Sequence, residues 1–303
     1  MLPSADKSNL DIFSKFIASL LFLGNVVLLP SCASLEYQNP DTVARLDEMI
    51  NQAPQARKYA ARVTIERILE GVQSLSKSST SIQNLPHSPI RFGFSATDTL
   101  DGKLVFTNIT AEINESGNCK VLYQGGFGAS ATAAFIKAVG VVKSYPCQET
   151  LVKLSSNGGN MMEGIRVGLI IRQNKWSTLA WKDNSRNTRA CVSSCAIAFL
   201  GGRNRYSHSN NFMDFSDAGH LFFHQIGAVE EGNKKCIDNP QELQPLIVYE
   251  YFKEVLPDAS TLMLGKLLDE SCKTADSAVT LHELLEKHVN TSRYTTEIYN
   301  RFK

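Results

Sequence analysis

Little charge of either sign is left over in this chain: 31 Lys and Arg stand against 30 Asp and Glu, a formal net charge of +1 over 303 residues. Such a balance supplies no field to attract nucleic acid. No Lys/Arg cluster interleaved with aromatics appears either, so nucleic-acid partners are set aside. The stretch Tyr123-Gln124-Gly125-Gly126-Phe127-Gly128 has neither Gly-x-Gly-x-x-Gly spacing nor a Lys-Ser/Thr ending, which argues against a phosphate-cradling loop. No standard zinc spacing is matched. His220 and His224 on one strand face, with Cys191 and Cys195 on one helix face, leave metal ligation a minor reading. No cofactor is expected. No repeat of solenoid length is visible, and the longest apolar run is too short for a comfortable membrane span.

That run has another meaning. Lys7 and Lys15 precede Phe16 to Leu29, which ends at Pro30-Ser31-Cys32-Ala33, the shape of a secretory signal. Leu29-Pro30-Ser31-Cys32 resembles a bacterial lipobox, with lipid and hence membrane attachment at Cys32. Ser31-Cys32-Ala33 also offers small residues for ordinary cleavage, and an uncleaved anchor helix is the third alternative. Each puts the body of the protein outside the cytoplasm, in the periplasm or associated with the envelope of a bacterium. With Cys32 removed or lipidated, six cysteines remain: Cys119, Cys147, Cys191, Cys195, Cys236 and Cys272. An even set in an exported chain predicts at least one disulfide, with Cys236–Cys272 the working choice.

Pattern shifts divide the remainder. Residues 1–33 form the signal segment, 34–90 a helical segment with a linker, and 91–303 an α/β domain whose core covers about 120–289. Helical periodicity runs from Asp41 to Ser76, and the Ser-, Asn- and Pro-rich stretch from Ser76 to Pro89 reads as the linker. Arg91–Phe94 and Lys103–Ile113 read as strands. From Lys120 strands and helices alternate: Val121–Tyr123, Ala129–Val142, Leu151–Leu154, Met161–Arg172, Thr178–Trp181 and Ser193–Leu200. This alternation argues for an α/β fold, a parallel sheet covered by helices. Hydrophobic content of 43% is enough for one sizeable core plus an appendage. The polar stretch Arg203–Asp217 reads as a surface loop, with a lid over a groove as the sharper alternative.

Four segments point to chemistry. In Cys191-Val192-Ser193-Ser194-Cys195-Ala196-Ile197-Ala198-Phe199-Leu200-Gly201-Gly202 a serine precedes an apolar, helix-forming run, where free backbone N–H groups stabilise developing negative charge. Upstream, Asn157-Gly158-Gly159-Asn160 joins a strand to a helix, and its glycines allow N–H groups to point outward. Downstream, His224 ends the short strand Leu221-Phe222-Phe223, the residue type a serine nucleophile needs as its base. Asp276 lies just before an amphipathic helix.

In this order the segments resemble the ClpP/crotonase superfamily, and within it ClpP-like serine peptidases. The likeness is closest to periplasmic ClpP-like proteins with a Cys-Ala-Ser-Ala-Cys…Ala-Phe-Leu-Gly-Gly signature. Those peptidases have Ser-Pro-Gly-Gly where this chain has Ser156-Asn157-Gly158-Gly159, and Ile-His-Gln-Pro where it has Phe223-His224-Gln225-Ile226. Their acidic residue precedes a Ser/Thr by four positions and a helix Glu by seven, as Asp276 precedes Thr280 and Glu283. The resemblance spans roughly Lys120 to Val289 and implies a spiral of repeated ββα units. It implies Ser193 as nucleophile, His224 as general base and Asp276 as the group that orients the imidazole. Backbone N–H groups of Gly158 and Ser194 would form the oxyanion hole, and the substrate would be a polypeptide. A homo-oligomer stays open as the assembly state. Aligning Cys195 with the small residue two places after the family nucleophile selects Ser193; matching the Ala-Phe-Leu string puts Cys195 at the nucleophile position. The alternative reading is a fold relative without activity that serves as an envelope scaffold. A crotonase-type acyl-CoA enzyme fits poorly with an export signal.

Overall fold

The structure, a computed structural model, describes residues 40–77, 91–100, 102–181, 191–207, 221–223, 227–230, 233–237, 239–269, 291–293 and 296–302. A seven-stranded sheet runs through it in the order β1 (Arg91–Leu100), β2 (Lys103–Ile113), β3 (Cys119–Gly125), β4 (Thr150–Ser155), β5 (Ser177–Ala180), β7 (Arg205–Ser207) and β11 (Thr291–Arg293). The first three strands are antiparallel neighbours; from β3 to β11 every pairing is parallel. All six residues of β4 are buried, as expected of a central strand covered on both faces. In β3 buried and half-buried residues alternate, so only one face of that strand reaches the deep core.

Helices α3 (Ser130–Lys143), α4 (Met161–Gln173) and α5 (Ser194–Leu200) follow sheet strands. Between strand and helix the chain makes short parallel bridges, Phe127 to Gly159 and Ser156 to Cys191. The short strands β6 (Cys191–Val192) and β8 (Leu221–Phe222) pair in parallel apart from the main sheet. The strands β9 (Gly227–Glu230) and β10 (Asn233–Cys236) form an antiparallel pair. Helices α6 (Leu243–Val255), α7 (Ser260–Asp269) and α8 (Thr296–Phe302) complete the described elements.

Two helices precede the sheet, α1 (Pro40–Gln52) and α2 (Gln55–Lys77). They part at Ala53-Pro54, where the proline restricts the residue before it and cannot donate a helix hydrogen bond. Their apolar stripe, Leu46, Ile50, Ala61, Ile65 and Val72, is buried in the same core as α4 and α6. The helical segment is thus packed into the main body.

Helix α4 starts at Asn160, whose side chain accepts from the N–H groups of Met162 and Glu163. Gly164 and Gly168, one turn apart on α4, let α5 approach to backbone contact: a Cβ at Gly164 would collide with the Ser194 carbonyl oxygen. Tyr251 of α6 fills the neighbouring space against Gly168 and donates to the Ile197 carbonyl at 2.7 Å. A disulfide joins Cys119 at the start of β3 to Cys147 after α3, and a second joins Cys191 to Cys195.

Two expectations are corrected here. Cys191 and Cys195 do not share a helix face as paired metal ligands; Cys191 lies in β6, Cys195 in α5, and they are bonded to each other. The stretch that begins at Arg203 does not run as a surface loop throughout, because Arg205–Ser207 is strand β7 inside the main sheet. Its polarity has a structural cause. Arg205, 5% exposed, donates Nε to the Leu200 carbonyl at 2.9 Å and a terminal nitrogen to the Val255 carbonyl at 3.0 Å, capping the ends of α5 and α6. Residues 208–217 lie outside the described residues.

Candidate active site

Ser193 stands where β6 turns into α5, as the residue capping the helix start. Its backbone has φ 58° and ψ −122°; among the described residues the only other non-glycine residue with positive φ is Lys175. Such a conformation costs about 1–3 kcal/mol and persists only where the surroundings over-determine it. They do so here. The Ser193 N–H donates to the Phe222 carbonyl of β8 at 2.9 Å, and its carbonyl accepts from the Ile197 N–H at 3.1 Å. One residue earlier, the Val192 N–H donates to the Ser156 carbonyl at 2.9 Å.

The two serines differ in placement. Ser193 is half-buried, and its side chain makes no capping hydrogen bond. Ser194 is 1% exposed, packed against α4 at Gly164, and its Oγ has no hydrogen-bond partner among the described residues.

Opposite Ser193 lies the glycine turn. Gly158 has φ +96° and Gly159 φ +146°, both in the region that side-chain-bearing residues resist. A Cβ at Gly158 would lie 2.7 Å from the Ser193 Cβ, 2.9 Å from the Val192 carbonyl oxygen and 3.2 Å from the Ser193 Oγ. Only a glycine allows this approach. The turn is anchored by Phe127, whose N–H donates to the Gly158 carbonyl at 2.9 Å and whose carbonyl accepts from Asn160 at 2.8 Å. The Gly158 N–H itself donates to the Ser156 Oγ at 3.0 Å. Beneath the turn, the Tyr123 hydroxyl donates to the Gly126 carbonyl at 2.7 Å, and its full burial drives its pKa up.

Of the residues singled out by sequence, the structure therefore brings Ser193, Ser194 and Gly158 together. His224 and Asp276 lie outside the described residues. So do residues 1–39, residues 78–90 of the linker, and Cys272 of the working disulfide choice. The strand that leads to His224 is described as far as Phe223, and Phe222 of β8 is bonded to Ser193. Sequence reasoning missed Ser156, which connects the glycine turn to the serine strand through both its carbonyl and its hydroxyl. The signals for it were its place at the end of a buried strand, two residues before Gly158, and its match to the first residue of Ser-Pro-Gly-Gly.

Among the described residues no three His, Cys, Asp or Glu side chains are grouped to hold a metal ion, and no helix is long and apolar enough to cross a membrane. Two cavities bounded by described residues, one of about 610 Å³ on β1 and β2 and one of about 380 Å³ around Trp176, are lined by neither Ser193 nor Gly158. No family model, curated protein or solved structure matches the chain.

Proposed function

We propose that this chain is an exported serine hydrolase of the ClpP/crotonase type, a peptidase that acts on extended polypeptide. One observation carries the reading: a half-buried serine held at positive φ on a strand-to-helix turn, with a left-handed glycine turn packed against its side chain. That is an arrangement for presenting a hydroxyl beside backbone N–H donors. A packed helix start needs no such conformation.

In this reading Ser193 Oγ attacks the substrate carbonyl while its proton passes to His224, oriented by Asp276. The oxyanion is taken by the N–H groups of Ser194 and Gly158, donors worth on the order of 3 kcal/mol each. His224 then returns the proton to the leaving amine, and water releases the acyl group from Ser193 by the same route. The hydrogen bond from Ser193 N–H to Phe222 supports His224 as the base, since it runs the preceding strand beside the nucleophile. The ββα spiral is supported by the recurring order of sheet strand, bridged residue or short strand, and helix, seen at β3–Phe127–α3, β4–Ser156–α4 and β5–β6–α5. Export, with lipid attachment at Cys32 or ordinary cleavage, belongs to the same proposal.

A second reading, a scaffold without activity, is favoured by one observation: the Gly158 N–H is already engaged by the Ser156 hydroxyl. A fluorophosphonate probe decides between them. The hydrolase reading expects covalent labelling of Ser193, abolished in Ser193→Ala and lowered by orders of magnitude in His224→Ala. Asp276→Asn weakens labelling, while Ser194→Ala retains it. A folded mature protein that no such probe labels supports the scaffold.

A further inference from the structure

We propose that the Cys191–Cys195 disulfide is a positioning device for Ser193, holding it at positive φ and its hydroxyl beside the glycine turn. The catalytic consequence rests on the serine hydrolase reading; the geometric claim does not.

The bond encloses Ser193. Cys191 is the first residue of β6, Cys195 the second of α5, and the nucleophile candidate sits midway in the five-residue loop. Four residue steps span about 13 Å when extended, yet the disulfide keeps these Cα atoms 5.2 Å apart. The turn at Ser193 therefore cannot open. At its strand end the link is continuous with the glycine turn, because Cys191 bridges Ser156 and the Ser156 hydroxyl accepts from Gly158. One covalent closure thus fixes the serine turn against the segment that carries the other oxyanion donor.

Two other roles fit less well. If the bond served mainly to stabilise the whole fold, a long loop would serve better, since the constraint on the unfolded chain grows with loop length. Cys119–Cys147, with a sequence separation of 28 against 4, meets that purpose. If it were a redox switch, an attacking thiolate would have to reach a sulfur, but Cys191 and Cys195 are both 0% exposed. What remains for a short, fully buried link around a residue with unfavourable φ is local geometry.

The test compares the disulfide-intact protein with Cys191→Ala/Cys195→Ala and, as control, Cys119→Ala/Cys147→Ala. The first readout is the Ser193 backbone, from a crystal structure or from the amide–Hα coupling and carbon shifts of a selectively labelled sample. The second is the fluorophosphonate labelling rate well below each melting temperature. We expect Ser193 to leave positive φ in the Cys191/Cys195 variant and its labelling to slow about ten- to hundred-fold. The control should lose more thermal stability, yet keep Ser193 at positive φ and label at nearly the parent rate. Should Ser193 keep its conformation and rate without the bond, the proposal is wrong. It is equally overturned if the Cys191/Cys195 variant and its volume-restoring form Cys191→Val/Cys195→Ala fail to fold while the control folds, since the bond's role is then global. A parent protein inert to the probe sinks the hydrolase reading alone, because the backbone readout still decides the positioning claim.

Discussion

Gly158 and Ser193 occupy one space: a Cβ on the glycine would come within 2.7 Å of the serine Cβ and 2.9 Å of the Val192 carbonyl oxygen. Both residues have positive φ, and each conformation is tenable because the other leaves room for it. The pair joins segments more than thirty residues apart in sequence, bound to each other by the Ser156–Cys191 bridge.

Gly158→Ala should therefore be costly in two ways. The left-handed backbone is strained for alanine, and the added methyl meets backbone and a turn that cannot yield; we expect a stability loss of about 2–4 kcal/mol. Displacement of Ser193 should slow fluorophosphonate labelling, by about 100-fold where the shift reaches about 1 Å. Gly140→Ala is the matched control. Gly140 lies within α3 with nothing within 4 Å of an added Cβ, so alanine should be neutral or stabilise by up to about 1 kcal/mol, with labelling unchanged. Urea melts and labelling rates of the two variants check this, and equal behaviour would refute it.

The contrast between these glycines shows what was legible in the sequence. Strand–helix alternation from Lys120 onward appears in its expected places because it depends on local periodicity: Met161–Arg172 predicts α4, and Leu151–Leu154 predicts β4. The Gly-Gly turn and the serine at a helix start were readable as types. Their contact was not, since it depends on parallel pairings across long separations. β11 lies beside β7 although 83 residues intervene between Ser207 and Thr291, and no local signal carries such a register. Arg205 misled for a related reason. In sequence it is one cation in a polar stretch; in the fold it satisfies two helix ends that the sequence does not bring near it.

Arg205 supplies the second prediction. Burial pulls its pKa down to about 10, so the charge is held at a desolvation cost. Charge-assisted hydrogen bonds to the Leu200 and Val255 carbonyls offset that cost, each worth about 1.5–3 kcal/mol. Arg205→Met keeps the volume but strands both carbonyls, and should destabilise the fold by about 2–4 kcal/mol. Arg205→Lys, with one compact ammonium, cannot serve both helix ends and should fall between. Chemical denaturation midpoints give the order, and a methionine variant as stable as the parent would show that the caps contribute nothing net.

The third prediction concerns alkaline pH. Tyr123 and Tyr251 are fully buried, and desolvation raises both phenols above their ordinary value of 10.0. Each hydroxyl donates at 2.7 Å to a backbone carbonyl, to Gly126 and Ile197 respectively, so ionisation would also set an anion against a carbonyl oxygen. A folded pKa above the unfolded one gives stability that is complete below pH 10 and lost as pH rises towards the folded value. Arg205 acts in the opposite sense. Its folded pKa of about 10 lies below 12.5, so across that window the folded state releases a proton the unfolded state keeps, which favours folding. Two phenols against one guanidinium leave the unfolded state with one fewer proton, a loss of about 1.4 kcal/mol per pH unit once the unfolded phenols have ionised. Tyr206, raised mainly by burial, adds to the loss. Urea midpoints measured from pH 9 to 11.5 should therefore fall, with tyrosinate absorbance from Tyr123 and Tyr251 appearing together with unfolding. Tyr251→Phe should flatten the decline, because it removes one of the two phenols and leaves the guanidinium in place. A flat midpoint, with tyrosinate growing in while the protein stays folded, would mean that these hydroxyls are open to hydroxide and that their burial does not set the alkaline limit.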